Sequence, residues 1–444
     1  MYTDNMTLQE SLDALAAFGN PYLTAIKGER PAEWGLKGVR ALLSDLGDPH
    51  LAYPTFHVAG TKGKGSTAAF IAQGLTESGL RTGLYTSPHL ENWRERVQVD
   101  RAWIAEDQLI AIVQDILPYA QAYPDLTSFE VTTALALWHF AREGCEAAVI
   151  EVGLGGSLDA TSVVEPVVSV LTSISLDHTQ ILGNSVAQIA RDKAAIIKPG
   201  TLAVSAPQVD PALNAIEERA AAVASPLTVV GRDSTFDLLY ATWSGSGLRH
   251  TDGGTVAMYR ITMPGLFQVE NAGVAVSALR RAQEAGLPIN EQGIAEGLQH
   301  ALWPGRMEMV SHHPRIVIDG AHNPYSIGKL VESLTHLEEG QRFVFVFGCM
   351  ADKDIKGFVS HLVPVAEQII LTRADSDRAA PTGLLEETIH NVADPTAPPL
   401  AHTQSVQEAL ELVEASMPDT LTCVTGSLAV VGEARTAILG TAIQ

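Results

Sequence analysis

The chain has 444 residues, 46% hydrophobic and 18% charged, enough for two or three domains at about 150 residues each and too much for one small module. Lys and Arg number 29 against 51 Asp and Glu, and the formal charge of -22 excludes nucleic acid and anionic membrane as expected partners, because both are held chiefly by clustered Lys and Arg. No uncharged apolar run approaches the ~18 to 20 residues that span a bilayer, and Met1 to Asn5 do not begin a basic region leading into an apolar core, so a cytoplasmic protein is expected.

From Phe56 onward, short runs rich in Val and Ile alternate with longer segments of helical period, the pattern of a parallel sheet covered on both faces. Strands are expected at Phe56 to Ala59, Thr82 to Tyr85, Ala147 to Val152 and Val167 to Leu171. Helices are expected at Thr67 to Ser78, stopped by Gly79, and at Val186 to Ile197, where Ser185 and Gln188 would form a capping box and Lys198-Pro199-Gly200 ends the helix. Gly231 to Thr262 is rich in Gly, Ser and Thr and reads either as a β excursion or as a long surface insertion. After Trp303-Pro304-Gly305-Arg306 the alternation restarts, with strands expected at Ile316 to Ile318, Arg342 to Phe347, Gln368 to Leu371 and Leu421 to Thr425. The fold class is therefore α/β, with a boundary near residue 304 separating domains 1–303 and 304–444. Cys145, Cys349 and Cys423 are far apart and show no ligand spacing, as expected of buried, inert thiols in a reducing compartment.

The strongest chemical signal is Gly60-Thr61-Lys62-Gly63-Lys64-Gly65-Ser66, between an expected strand and an expected helix. Glycines let backbone amides approach phosphate oxygens, a helix amino terminus adds partial positive charge, and a lysine can reach terminal phosphates. The spacing departs from G-x-x-x-x-G-K-[ST], so an ordinary strand-to-helix turn stands as the bland alternative. Glu151 closes the apolar run Ala147 to Ile150 and is followed by Val152-Gly153-Leu154-Gly155-Gly156; at the carboxyl end of a central strand it either holds Mg2+ beside phosphates or caps the loop. Asp177-His178 falls on the same edge, where such a pair is more often a satisfied hydrogen bond than a metal site. Thr86 to Leu90, Thr127-Ser128-Phe129-Glu130, Arg191-Asp192-Lys193, Pro304-Gly305-Arg306 and Asp319 to Pro324 would each be dismissed alone, and a helical lysine such as Lys193 is ordinarily a solvated surface charge.

Together these ordered motifs, with Lys193 to Gly200, resemble the bifunctional dihydrofolate synthase/folylpolyglutamate synthase family, a branch of the Mur ligases, over roughly residues 35 to 435. The resemblance implies a P-loop-type Mur ligase central domain with a mostly parallel sheet and a smaller Rossmann-like carboxyl-terminal domain. It implies that Gly60 to Ser66 cradle ATP, with Lys64 on the terminal phosphates, and that Asn271, Arg306 and Asp319 contact the nucleotide. It implies Ser87, Glu151 and His178 as Mg2+ ligands, and Lys193 as a carboxylated lysine that helps place a second Mg2+. Thr127 to Glu130 and Leu158-Asp159-Ala160 match the pterin-side pocket, and His322 and Ser427 match positions near the incoming glutamate.

The sequence departs from that pattern at Lys62, usually Asn; at Ser157, often Arg; at Ser162, usually Asn; and at Ala429, often aromatic. The implied reaction is ATP- and Mg2+-dependent addition of L-glutamate to dihydropteroate and to reduced folates through an acyl phosphate, by a monomer without nucleic-acid or membrane partners. The alternatives are a monofunctional folylpolyglutamate synthase, a cell-wall Mur ligase and a silent binding protein that keeps the fold. The second is disfavoured because 59 residues before Gly60 are few for a nucleotide-sugar domain, and the third because Lys64, Ser87, Glu151, His178 and Lys193 are all present.

Overall fold

The computed structural model describes residues 6–19, 36–393, 397–416 and 420–440, and Met1 to Asn5 lie outside them. The first sheet has the order β4-β3-β2-β5-β1-β6-β7-β8. Its strands are β1 Thr55–Ala59, β2 Thr82–Tyr85, β3 Val97–Val99, β4 Ala102–Trp103, β5 Ala147–Glu151, β6 Val168–Leu171, β7 Leu202–Ser205 and β8 Leu227–Val229. Pairing is parallel along β2-β5-β1-β6-β7-β8, and at the other edge β3 pairs antiparallel with both β2 and β4.

β1 and β5 are buried throughout because helices cover both faces. Val149 joins Phe56, Val58 and Phe70 in one core, while Ala148 and Ile150 join Tyr85 and Leu135 in the other. Residues 231–262 are the β excursion: β9 Ser234–Thr242, β10 Gly245–Asp252 and β11 Thr255–Ile261 form an antiparallel meander. The third sheet has the order β12-β13-β17-β14-β15-β16, with β12 Glu308–His312, β13 Arg315–Asp319, β14 Phe343–Phe347, β15 Ala366–Leu371, β16 Leu400–His402 and β17 Thr422–Thr425. It is parallel except for β12. Among the described residues no helix is long and apolar enough to cross a membrane, and the three cysteines are buried and free.

Two local expectations change. The helix expected from Thr67 starts at Lys64 and runs to Glu77, so the loop lysine and Ser66 belong to its first turn. The helix expected to reach Ile197 ends at Ala194, and its capping box is half made. Ser185 Oγ accepts from the Gln188 amide at 3.3 Å, but the Gln188 side chain accepts from the Asn184 amide at 2.9 Å instead of returning to Ser185.

The helix Lys64–Glu77 is held in place by close packing on Glu291–His300. A Cβ on Gly297 would lie 2.4 Å from the Cα of Gly74, so the two backbones meet with no side chain between them. Gly297→Ala must spread the helices, and the expected cost is about 1 to 3 kcal/mol, read as a lower urea midpoint; an unchanged midpoint would show that the contact relaxes freely.

Candidate active site

The carboxyl ends of β1, β2, β5 and β6 deliver residues 60–66, 86–89, 151–156 and 172–178 to one edge of the first sheet, the edge where ligands bind in open α/β folds. β13 and β17 deliver Asp319 to Asn323 and Gly426-Ser427 from the third sheet.

Between β1 and its helix, the Thr61 and Lys62 amides donate to Ser173 O at 2.9 and 3.1 Å, tying the loop to the strand beside it. The helix then starts from Gly63, at φ 86°, with no side chain capping it. Its first amides are therefore left for a ligand, and the helix dipole favours an anion there. Gly63 is obligatory on two counts: its φ is left-handed, and a Cβ would come within 2.2 Å of Asn271 Oδ1. Asn271, on the helix Leu266–Glu284, is buried against the loop and donates to Gln268 Oε1 at 2.9 Å. Gly60, Thr61, Gly65 and Ser66 complete this turn, and a Cβ on Gly65 would sit 2.7 Å from the Trp303 indole nitrogen.

Lys62 occupies a place that sequence reasoning did not foresee. Its Nζ lies 3.0 Å from Asp177 Oδ2 and donates to His322 Nε2 at 3.0 Å, joining the glycine-rich loop to the third sheet. Asn323 Nδ2 donates to the same Asp177 oxygen at 2.9 Å. His322 Nδ1 faces Gly320 O at 2.8 Å and must donate to it, which leaves Nε2 as the acceptor for Lys62. Burial, then the nearby Lys62 charge, pushes the His322 pKa down to about 3, so the ring is neutral. Burial also pushes Lys62 down to about 8 against the pull of Asp177. Asp177 is driven up by burial, but the Lys62 charge, the neighbouring histidines and the Lys62 hydrogen bond together outweigh this and hold the carboxyl below its ordinary value.

Glu151 ends β5 fully inside the molecule and accepts from the Ser87 amide at 3.2 Å. Burial raises its pKa, and Lys64 is the chief opposing charge. His178, in the left-handed region at φ 48°, is pushed down to about 4 by burial and is neutral. Lys193 corrects the expectation of a solvated surface charge: it is 5% exposed, and burial followed by repulsion from Lys64 lowers its pKa to about 7. The double glycine explains its inward position. A Cβ on Gly156 would meet Asp192 O at 2.5 Å and Lys193 Cα at 2.9 Å, so only a bare backbone lets the loop after β5 lie on this helix. Ser157, in place of an arginine, donates to Asp192 Oδ1.

Beside Ser87 opens a cavity of about 1360 Å³ lined by Thr127, Ser128, Phe129, Glu130, Leu158, Asp159 and Ala160. Thr127 and Glu130 serve each other: the Thr127 Oγ1 accepts from the Glu130 amide at 3.3 Å, and Glu130 Oε2 accepts from the Thr127 amide at 2.8 Å, capping the helix Ser128–Arg142. Asp159 accepts from Leu154 and Thr161 amides at 2.8 and 3.0 Å, and burial raises its pKa. Phe129 packs on Tyr85 with ring centroids 6.2 Å apart. The cavity also takes Trp93 and Arg96 and, from the amino-terminal helix Leu8–Ala16, Leu12 and Ala16, none of which the motifs had marked.

On the facing side, Arg306 Nη1 donates to Gly305 O at 3.0 Å. Asp319 spends both oxygens on the backbone, accepting from the Met307 and Ala321 amides at 3.0 and 2.9 Å, so it shapes the turn that presents Arg306 and His322. Ser427 is likewise a cap, accepting from Val430 N at 3.2 Å. Among the described residues, no three His, Cys, Asp or Glu side chains converge as a metal cage. The donor set of a hydroxyl, one carboxylate and a neutral imidazole at Ser87, Glu151 and His178 still fits Mg2+, which keeps waters and takes phosphate oxygens in preference to an all-protein shell.

Fold and site together define the Mur ligase class: residues 58–279 match the Mur ligase middle domain, and residues 305–428 match the Mur ligase glutamate ligase domain. The folylpolyglutamate synthase of Lacticaseibacillus casei is 34% identical over 417 residues, 90% of this chain and 94% of that one. A probable bifunctional folylpolyglutamate synthase/dihydropteroate synthase of Haloferax volcanii is 40% identical over 416 residues, 90% of this chain and 48% of its own; the chain spans about half the length of such relatives. The structure of E. coli FolC in complex with DHPP and ADP matches with a TM-score of 0.86 at 28% identity over 99% of each chain. The chain belongs to the dihydrofolate synthase/folylpolyglutamate synthase family of Mur ligases.

Lys62→Met leaves the half-buried Asp177 carboxylate without its cation and should cost about 3 kcal/mol of stability. Because the Asp177 pKa is depressed in the folded state, its contribution is present above its ordinary value of about 4 and is lost as pH falls below it. Acid unfolding between about pH 4 and 2 should therefore be steeper for the wild type than for Lys62→Met; parallel curves would contradict the pairing.

Proposed function

We propose that this chain joins L-glutamate to dihydropteroate, forming dihydrofolate, and to reduced folates, forming folylpolyglutamates, with ATP as the energy source. The observation that carries the reading is that Ser87, which lines the large cavity, donates its amide to Glu151, and Glu151 feels the charge of Lys64 in the first turn of the uncapped helix, so an anion on the loop and an apolar ligand in the cavity would lie on either side of these two residues. The relatives' names and the DHPP and ADP of the E. coli structure support the same ligands.

In the reaction, an oxygen of the acceptor carboxylate bonds to the γ-phosphorus of ATP while the bond to ADP breaks. The glutamate amine then bonds to the acyl carbon and phosphate departs. Lys64 and the amides of the first helical turn stabilise charge on the transferring phosphoryl group, where catalysis of such transfers chiefly arises. Ser87, Glu151 and His178 would hold Mg2+, which would supply positive charge against the phosphates. His322 Nε2, neutral and turned to the seam, is an acceptor available to the incoming ammonium in competition with Lys62. The 1–303 and 304–444 division is supported by the end of the meander at Ile261 and the start of the third sheet at Glu308, so ATP rests on the first unit and glutamate enters from the second.

Purified protein with ATP, Mg2+ and labelled glutamate should label both dihydropteroate and reduced folate. Label in reduced folate alone would make the enzyme a monofunctional folylpolyglutamate synthase, and label in neither would remove the assignment. Lys193, buried and lowered to about 7, carries enough neutral amine at pH 7 to take up CO2. Degassed, bicarbonate-free enzyme should lose activity and regain it on adding bicarbonate, while Lys193→Ala should be slow throughout yet melt within a few degrees of wild type. A wild type indifferent to bicarbonate would refute the carbamate.

A further inference from the structure

Arg96 is a cation in the cavity that forms no ion pair among the described residues, with the Glu95 charge nearby but turned elsewhere. It precedes β3, and its carbonyl accepts from the Thr86 amide at 3.0 Å, which sets it across from the residue before Ser87 at the inner end of the cavity. Its Nε donates to His89 Nδ1 at 2.9 Å, and its guanidinium lies 6.0 Å from the Trp93 ring centroid. The fork is thereby held from one side, while both terminal nitrogens lack a hydrogen-bond or carboxylate partner among the described residues. The neighbouring acid is unavailable: Glu95 accepts from the amides of Leu90, Glu91 and Asn92 at 2.7, 2.7 and 2.6 Å. Among the cavity's acids, Glu130 and Asp159 are engaged by their own caps and turns. Lys37, the other basic lining residue, is exposed at the far helix Lys37–Asp45. A partly desolvated, pre-oriented guanidinium is the group that takes a planar carboxylate bidentately.

We propose that Arg96 selects acceptors that already carry glutamate, its terminal nitrogens holding the α-carboxylate of the acceptor's last glutamyl residue while the γ-carboxylate of that residue lies beside Ser87 and Glu151. The inference rests on the ligase reading above. The two carboxylates of one glutamyl residue are separated by a short carbon chain, matching a fixed cation beside the reacting edge. Dihydropteroate has a single carboxylate, on its aryl ring, and that group must itself be activated. It therefore has nothing to give Arg96, so one side chain separates the first glutamate addition from the later ones.

The test compares three acceptors with full-length protein, ATP, Mg2+ and labelled glutamate: dihydropteroate, a reduced monoglutamyl folate, and that folate with its α-carboxylate converted to carboxamide. Arg96→Met should lower kcat/KM for the monoglutamyl folate about 10- to 100-fold, mainly through KM, with a loss for dihydropteroate at least tenfold smaller. Wild type should show the same loss on the carboxamide, Arg96→Met should lose nothing further on it, and Arg96→Lys should recover part of the activity on the acid. Equal losses for both acceptors, or additive losses from variant and carboxamide, would overturn the proposal. If Arg96→Met does not fold, wild type decides: an unchanged kcat/KM for the carboxamide overturns it. Wild type that labels no acceptor at all would instead remove the ligase reading itself, and the proposal with it.

Discussion

The half-buried ion pair between Lys62 and Asp177 is the contact on which the site depends, because it lies where the glycine-rich loop, the end of β6 and the third sheet meet. An ammonium alone at this depth would be costly, as would a carboxylate alone. Each is retained because Asn323 and His322 supply the remaining hydrogen bonds from across the seam. The pair thus does more than neutralise two charges: it makes the third sheet a participant in the geometry of the loop. The tautomer of His322 follows from the same contacts, with Gly320 O taking the Nδ1 proton and Lys62 occupying Nε2.

On the proposed reading, a chain with a formal charge of -22 gathers several anions into one place. It does so by withdrawing cations from water, Lys193 fully and the others in part. Lys62, Lys64, Lys193, Arg96 and Arg306 surround the edge of the first sheet, and the electrostatic influence of Lys64 reaches Glu151, His178 and Lys193. Withdrawal from water strengthens each interaction with phosphate or carboxylate and shields it from salt. Burial also lowers the pKa of Lys193 to about 7, and an amine that is neutral in part can become something other than a cation.

Much of this was legible in the sequence for a physical reason. Fully buried strands such as Ala147–Glu151 and Phe343–Phe347 write their environment into a continuous apolar run, and a glycine loop between strand and helix signals backbone left open to phosphate. The helix start moved from Thr67 to Lys64 because Gly63 enters it in a left-handed conformation that carries no side-chain cap signature. Lys193 looked exposed because helical position alone says nothing of depth; the packing of Gly156 on its backbone decides it, and that contact is remote in sequence. Lys62 was noticed as a departure from a pattern, but its partners lie more than a hundred residues away. Thr127 with Glu130, and Ser427, read as pocket residues and are also caps, so a cap signature and a binding signature coincide at these helix starts. Arg96 carried a signal in the charged run Trp93 to Arg96 that no motif logic could separate from a solvated turn.

The proposed ligation requires that the acceptor carboxylate be activated by direct transfer of the γ-phosphoryl group. Acceptor labelled with 18O in its carboxylate gives the most direct measurement, with the released phosphate analysed by mass spectrometry after a single turnover with ATP and glutamate. An acyl phosphate leaves one 18O atom in each phosphate, because the acceptor oxygen stays with phosphorus when the amine displaces it. Phosphate free of 18O, with amide formed, would contradict it.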